Sequence, residues 1–378
     1  MRIVHVANAY TPRSGGIRTT VHALGHGYRA AGHEFVLVVP GPRASDEDLP
    51  WGRRVTLAGP RVPGSGGYRI LADLHRVRAV LDGLAPDRLE VSDRLTLRGL
   101  GRWARAAGVP STVIAHERVD GLLRAFTPLG PRAAQGAADR HNATTAERFD
   151  RVVTTTRFAG QEFARIGVPT DHVPLGVDLE QFQPATRPSA GGVPLLVLCS
   201  RLSREKRPDL AIEALRVMHH AGLPARLIVA GSGPLAASLR RRARGLPVEL
   251  VGHLAERSAL ASLLAAADVV LAPGPVETFG LAALEALACG TPVVAASTSA
   301  VAELVGGGAG RRARPEPPAL AAAAAALLAV PQAHRRAAAR ARAELFPWSR
   351  TTDTMLALHG LRASQSAGQH RAWAAVGA

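Results

Sequence analysis

The sequence predicts an α/β protein of two doubly wound domains facing each other across a cleft. Three observations lead there. Short apolar stretches alternate with longer amphipathic ones along the whole chain, the pattern of buried parallel strands separated by helices. The chain has 378 residues, too many for one simple core and enough for two. A Pro- and Gly-rich segment, 176–194, with Pro184, Pro188, Gly191 and Gly192, divides the alternation into two runs.

In the first run, apolar and β-branched stretches predict strands near 2–6, 35–39, 54–57, 88–91, 112–115 and 151–154. Helical periodicity predicts helices near 17–31, 70–81, 95–107, 133–149 and 157–166. The second run repeats the pattern, with strands near 195–199, 226–230, 248–251, 268–272 and 293–295 and a helix over 279–288. Near the C-terminus a helix is expected over 352–361 with Ser349 as its N-cap, and residues 364–378 are expected to be frayed. The expected division is 1–176 plus a C-terminal helix of about 350–378 as one domain, and 177–349 as the other.

The formal net charge is +16. Residues 1–176 carry 24 Arg against 16 acidic residues, and the remainder 22 Lys plus Arg against 14, so each part contributes +8. Charge this diffuse, with no basic arm, argues against nucleic acid as a partner. It suits an anionic lipid surface or polyanionic substrate. The basic stretch 68–81 (Arg69, Arg76 and Arg78 beside Ile70, Leu74 and Val77) suits an anionic membrane or an ordinary surface helix equally well. Cys199 and Cys289 sit in apolar settings and read as buried thiols. No apolar run is long enough to span a bilayer. The start of the chain reads as a strand, not a secretory leader. Together these predict a cytoplasmic enzyme, with room for peripheral contact with the inner face of a membrane. The sequon Asn142-Ala143-Thr144 is expected to be accidental.

Chemistry gathers at strand ends. Lys206 is the sole lysine of a chain that otherwise places positive charge on arginine. It closes the run Ser200-Arg201-Leu202-Ser203-Arg204-Glu205-Lys206 after the strand 195–199. A compact ammonium at a strand end and helix start suggests a phosphate. Downstream, Glu277 and Glu285 stand with seven residues between them in Val276-Glu277-Thr278-Phe279-Gly280-Leu281-Ala282-Ala283-Leu284-Glu285. Glu277 falls in a turn after Pro273-Gly274-Pro275. The free N–H groups of Phe279, Gly280 and Leu281 would face the same cleft. A carboxylate, several donors and a helix dipole suit a polyhydroxylated, partly anionic ligand such as a sugar phosphate.

The two-carboxylate segment and the Arg201/Lys206 pair resemble the large family of retaining nucleotide-sugar glycosyltransferases with the GT-B fold (family 4). The likeness extends to Gly15-Gly16 after the first strand, Leu175-Gly176-Val177-Asp178, Ala230-Gly231-Ser232-Gly233-Pro234 and the Trp348 segment. The resemblance implies that Arg201 and Lys206 bind the donor diphosphate and that Gly15 and Gly16 bring backbone N–H groups to it. It implies that Glu285 takes the ribose and that Glu277, with Thr278, Phe279, Gly280 and Leu281, takes the donor sugar. His116 would lie near an outer sugar hydroxyl. The base region is placed near Gly231–Pro234 and 251–254, which adds Gly231, Gly233, His253 and Leu254 to the donor site. His116, Glu277, Arg201 and Lys206 are the expected catalytic residues. No cofactor or metal is implied, since the nucleotide sugar is itself a substrate. Asp46-Glu47-Asp48 reads as a solvated charge run in a loop.

More narrowly, Ser92-Asp93-Arg94-Leu95-Thr96-Leu97-Arg98 and His116-Glu117-Arg118-Val119-Asp120 are similar to actinobacterial α-mannosyltransferases of glycolipid assembly. That implies GDP-mannose as donor and a glycolipid acceptor. The alternative is a UDP-sugar and a soluble metabolite or antibiotic aglycone. A rival class is a dinucleotide-binding dehydrogenase, because Gly231-Ser232-Gly233-Pro234-Leu235-Ala236 fits a G-x-G-x-x-A fingerprint, with Glu249 downstream. That rival leaves Lys206 and both carboxylates without a role. An epimerase or phosphorylase on the same fold and a non-catalytic polyanion binder complete the alternatives.

Overall fold

A computed structural model describes residues 1–11, 15–62, 67–185 and 192–362. The expected frayed segment 364–378 and the middle of the 176–194 linker lie outside them.

The first sheet is built from β1 (Arg2–Val6), β2 (Glu34–Gly41), β3 (Ser45–Leu49), β4 (Gly52–Ala58), β5 (Arg88–Val91), β6 (Ser111–Ala115), β7 (Arg151–Thr154) and β8 (Asp171–His172). Their spatial order is β3-β4-β2-β1-β5-β6-β7-β8. All pairings are parallel except β3 with β4. Helices α1 (Gly16–Ala30), α2 (Leu74–Leu84), α3 (Leu100–Ala106), α4 (Val119–Phe126), α5 (Pro131–Ala146) and α6 (Arg157–Ala164) make the crossovers. The second sheet holds β9 (Leu195–Cys199), β10 (Arg226–Ala230), β11 (Val248–Gly252), β12 (Val269–Ala272), β13 (Val293–Ala296) and β14 (Gly310–Ala313). It is wholly parallel, in the order β11-β10-β9-β12-β13-β14. Its helices are α7 (Pro208–His220), α8 (Ala236–Arg242), α9 (Arg257–Ala266), α10 (Leu281–Ala288), α11 (Val301–Leu304), α12 (Pro317–Leu328) and α13 (Gln332–Ala343).

Each sheet is apolar on both faces, as parallel strands covered by helices must be. Val4, Val6, Val36 and Val38 join one buried layer, and Ile3, Phe35 and Leu37 the opposite one. In the second sheet Val197 and Val293 face one layer, Leu196 and Leu198 the other. The last helix, α14 (Trp348–Leu358), returns to the first sheet. Its Met355 and Leu356 share a buried layer with Leu24 and Tyr28 of α1. Gly27 lets the two helices meet, since a Cβ there would collide with Thr352.

Several expectations need correction. Asp46-Glu47-Asp48 is an edge strand, not a loop: Asp46 and Glu47 are held by Arg53 (2.6 Å) and Arg54 (2.8 Å) of β4. Charge pairs of this kind also keep an edge from pairing with another chain. The helix expected over 70–81 starts at Leu74, where Asp73 caps the N–H groups of His75 and Arg76. The basic stretch is therefore helical only in its second half. Ser349 lies inside α14, whose N-cap is Pro347. Helix α4 was not expected at all. Asn142 of the sequon is fully buried in α5 and accepts from Arg94 at 2.7 Å, consistent with an accidental match. Among the described residues no helix is long and apolar enough to cross a membrane.

Candidate active site

The chemistry-bearing residues of the second sheet lie after the carboxyl ends of β9, β10 and β12, where doubly wound sheets bind ligands. After β9 the chain makes a short 3₁₀ turn, Arg204–Lys206, and enters α7 through Arg207 in the left-handed region (φ 46°) with Pro208 at the first helical position. That turn presents the Lys206 ammonium to Glu277, and the two form an ion pair. Gly274 brings the two loops together: a Cβ there would lie 3.2 Å from the Lys206 backbone. Ser200, Lys206, Gly274, Glu277 and Gly280 line one recess. Arg201 turns elsewhere, to Glu205 at 2.8 Å and over the Tyr68 ring of the first domain at 5.6 Å.

The helix after Glu277 is two residues shorter than expected. It begins at Leu281, because Gly280 adopts φ 87° as its N-cap. Phe279 is therefore outside the helix, and its ring is packed in the core. The N–H of Ala283 is already bound to the Gly280 carbonyl, while among the described residues no carbonyl accepts from Gly280 or Leu281. Leu281 faces the start of α1, where a Cβ on Gly16 would come within 3.9 Å of it; Gly15 opens onto free space. Glu285 sits one turn into α10, 6% exposed, and its carboxylate accepts from Arg257 at 2.9 Å. Burial pushes the Glu285 carboxyl up, and Arg257 opposes that shift. The same guanidinium stands 3.4 Å from Thr19 on α1, bridging the two domains.

Gly231 and Gly233 have a structural reason to be glycine. At φ 141° Gly231 lies against the Ser200 carbonyl, and Gly233 against that of Leu202; a Cβ at either would strike those oxygens. The loops after β9 and β10 are laced by Leu202 N–H to Ser232 O (2.9 Å) and Leu235 N–H to Leu202 O (3.0 Å). Close loop contact thus accounts for a pattern that the dehydrogenase alternative reads as a fingerprint. His253 and Leu254 follow the edge strand β11, with His253 exposed; no hydrogen bond joins them to the two carboxylates among the described residues.

His116 follows β6 on the opposite side of the cleft. Its carbonyl accepts from the Thr278 hydroxyl, and Thr278 in turn accepts from Thr156 at 2.9 Å. The residue beside Glu277 is thereby tied to the residue expected to act from the first domain. A second tie is Glu303, whose carboxylate accepts from the N–H groups of Arg157 (3.1 Å) and Phe158 (2.6 Å) at the start of α6. The His116 ring donates to or accepts from Ser92 at 2.8 Å. Burial, then His5 and Arg94, lower its pKa to about 3. Burial raises the neighbouring Glu117 to about 7 against the pull of Arg94. Sequence reasoning missed Arg257, Thr156 and Glu303. Each sits in an ordinary helix-start setting, and only the fold brings it to the other domain. Burial raises Cys199 and Cys289 to about 12, so neither is a ready thiolate. Among the described residues no cluster of three or more His, Cys, Asp or Glu is placed to hold a metal ion.

Four half-buried histidines carry a pH prediction. Burial, then neighbouring charge, lowers His22 to about 4 and His116 to about 3, and burial also lowers His141 and His172. Each of these groups takes up protons less readily in the folded chain than in the unfolded one as pH falls below about 6.5, so stability is lost in that direction. Glu117 and Glu285, raised by burial, act in the opposite sense but are fewer. The urea midpoint is therefore expected to fall between pH 7 and pH 5. A midpoint that rises would show that the carboxyls dominate.

Two family models match the chain: "Glycosyl transferase 4-like domain" over residues 15–176 and "Glycosyl transferases group 1" over 193–330. A GDP-mannose-dependent alpha-(1-6)-phosphatidylinositol dimannoside mannosyltransferase of Mycobacterium tuberculosis is 51% identical over 372 residues, covering 96% of this chain and 97% of that protein. A GDP-mannose-dependent alpha-mannosyltransferase of Mycolicibacterium smegmatis is 28% identical, covering 81% of this chain and 82% of its own. Among solved structures, a sucrose-phosphate synthase from Thermosynechococcus elongatus superposes with TM-score 0.76 at 21% identity, covering 95% of this chain and 98% of that one. HepE of Anabaena, in complex with UDP and glucose, gives 0.73 at 20%, covering 95% and 99%. Two Rossmann-like sheets, a match to both family models and 51% identity along nearly the whole chain make this protein a glycosyltransferase of the GT-B nucleotide-sugar family 4.

Proposed function

We propose that the chain transfers mannose from GDP-mannose to a hydroxyl of a mannosylated phosphatidylinositol glycolipid, retaining the anomeric configuration and without a metal ion. The observation that carries this is the 51% identity, over 96% of the chain, to a relative named for that reaction. The site geometry is compatible with it. Lys206 binds the diphosphate and takes up its charge as the glycosidic bond loosens, and Arg201 joins it by exchanging Glu205 for phosphate oxygens. In the described state Lys206 is paired with Glu277, so donor entry exchanges one carboxylate partner for phosphate oxygens and frees Glu277 for sugar hydroxyls. Glu285, steadied by Arg257, takes the ribose hydroxyls. The N–H groups of Gly280 and Leu281, with Gly15 and Gly16 opposite, complete the phosphate and sugar contacts, and Gly231 to Leu254 border the base.

In the transfer itself the acceptor oxygen forms its bond to the anomeric carbon as the bond from that carbon to the phosphate oxygen breaks. The acceptor proton passes to the departing phosphate, leaving GDP. No side-chain base is required. Residues 1–176 with the returning α14 form the acceptor domain, 177–349 the donor domain, and the exposed Arg76 side of α2 meets the membrane that holds the acceptor.

The test is a donor panel of GDP- and UDP-sugars, scored first as hydrolysis without acceptor and then as transfer to phosphatidylinositol mannosides. GDP-mannose is expected to be turned over at least about tenfold faster than any UDP-sugar, a difference of ~1.4 kcal/mol in barrier. Preference for a UDP-sugar would overturn the donor assignment, and transfer only to soluble acceptors would overturn the glycolipid.

A further inference from the structure

The first sheet contains a polar chain where its apolar face should be continuous. Strand β1 sends Ile3 and His5, followed by Ala7 just past its end, toward α1 and α14, in a layer otherwise built of Val21, Leu24, Phe35 and Leu37. His5 and its register partner on β5, Glu90, are both fully buried. Buried polar groups are costly unless bonded, and these are bonded throughout. Glu90 accepts from His5 Nδ1 (2.7 Å), from the Tyr28 hydroxyl (2.6 Å) and from His359 Nε2 (2.7 Å) at the end of α14. His5 Nε2 meets the Ser92 hydroxyl at 2.8 Å, and the same hydroxyl meets His116 Nε2 at 2.8 Å. The path Glu90–His5–Ser92–His116 is unbroken and leads from the core to the cleft. Among the described residues no protein group bonds the other ring nitrogen of His116, Nδ1, and the residue is only partly buried.

We propose that Ser92 and His5, anchored on Glu90, are positioning residues that fix the ring of His116 so that its Nδ1 edge is presented to the donor sugar. The Ser92 hydroxyl has one proton, so it can donate to only one of its two histidines and must accept from the other. Glu90, as an ionised acceptor, requires a proton on His5 Nδ1. The protonation of His5 Nε2 then dictates which way the Ser92 hydrogen points and which nitrogen of His116 carries its own. A ring held this way acts through its orientation and its hydrogen-bond sense, as second partners do for ligating histidines. His359 extends the chain to α14, so the returning helix also bears on the site. The kinetic part of this assignment rests on the glycosyltransferase reading of His116; the orientation of the ring does not.

The test uses the full chain with Ser92→Ala, Ser92→Thr, His116→Ala and the Ser92→Ala/His116→Ala pair. Nitrogen-15 resonances of the His116 ring, recorded without substrate, are expected to shift in Ser92→Ala and to return toward wild type in Ser92→Thr. With GDP-mannose, Ser92→Ala is expected to lower kcat/KM about 5- to 10-fold, the effect of one lost hydrogen bond. In the His116→Ala background the same substitution is expected to cost less than about twofold, since its only route is gone. Unchanged ring resonances, or the full loss persisting without the imidazole, would overturn the proposal. If wild type turns over no sugar nucleotide, the reading of the site fails, and the ring resonances still decide the positioning chain.

Discussion

Replacing Lys206 with Ala is expected to reduce turnover by about two decades or more while leaving the fold intact. The two halves of that expectation have different origins. Stability changes little because the Lys206–Glu277 pair is reached by water, with side chains 21% and 25% exposed. Pairs of that kind contribute ~0–1 kcal/mol, and Glu277 left alone can be solvated. Turnover changes greatly because the ammonium is asked to hold a departing diphosphate. Two charge-assisted bonds at about 1.5–3 kcal/mol each amount to ~3–6 kcal/mol, or roughly two to four decades if expressed in the transition state. Lys206→Arg separates charge from shape. The chain already carries 45 arginines, so a bare cation would not need its one lysine. A planar fork cannot replace a point charge on a flexible stem beside Gly274. Lys206→Arg is expected to recover less than about a tenth of wild-type kcat, about 1.4 kcal/mol short. Thermal melts and donor turnover on the same preparations check both. Lys206→Ala within a few-fold of wild type would remove the phosphate assignment.

What the sequence revealed depended on whether the controlling interactions were local. Strands at 2–6, 88–91, 151–154, 195–199 and 226–230 matched their observed bounds because each is a short apolar run bounded by polar or turn residues. Asp46-Glu47-Asp48 was misread because its strand state is imposed by Arg53 and Arg54 on the partner strand, seven residues away. The start of α10 was misplaced because a left-handed Gly280 resets the helix, and glycine at a helix start is locally ambiguous. At the site, Lys206 and the Glu277/Glu285 pair were legible from residue type and spacing. Arg257 was not: it lies 28 residues from Glu285 and 238 from Thr19, and only domain packing joins them. The chain from Glu90 to His116 left one legible sign, a carboxylate between Leu89 and Val91 in the four-residue strand Arg88–Val91. Its partners lie 24 to 269 residues apart, beyond any local pattern.

The other large expected effect is structural. Glu162→Ala should destabilise the protein by ~3–5 kcal/mol, the cost of leaving a buried charge uncompensated. Arg94 is wholly buried, as is Glu162, with their charged groups 3.5 Å apart. Arg94 also donates to Asn142 and to the Glu117 carbonyl, so it cannot swing out to water without breaking three elements apart. The Glu162 carboxylate accepts from the N–H groups of Val119 (3.1 Å) and Asp120 (2.8 Å), the first turn of α4. Helix α4 has no side-chain N-cap of its own, so Glu162 of α6 supplies one from a distance. The two N–H groups bond different carboxylate oxygens, so Glu162→Gln removes the charge and keeps one acceptor of the two, with its NH2 set against the other N–H. If the uncompensated guanidinium is the main cost, Gln and Ala should be nearly equal in effect; if the cap is, Gln should recover at most about half of the loss. The exposed pair Arg2–Glu34 (35% and 45%) is the internal control: Glu34→Ala should cost less than ~1 kcal/mol. Urea denaturation followed by native-state hydrogen exchange at the amides of β6 and α5 would report the loss where it occurs. The segment held by Glu162 follows directly on His116, so turnover should fall at temperatures well below those that unfold the chain. A Glu162→Ala protein as stable as the Glu34→Ala control would show that Arg94 finds another partner, and that the buried pair does not hold this segment in place.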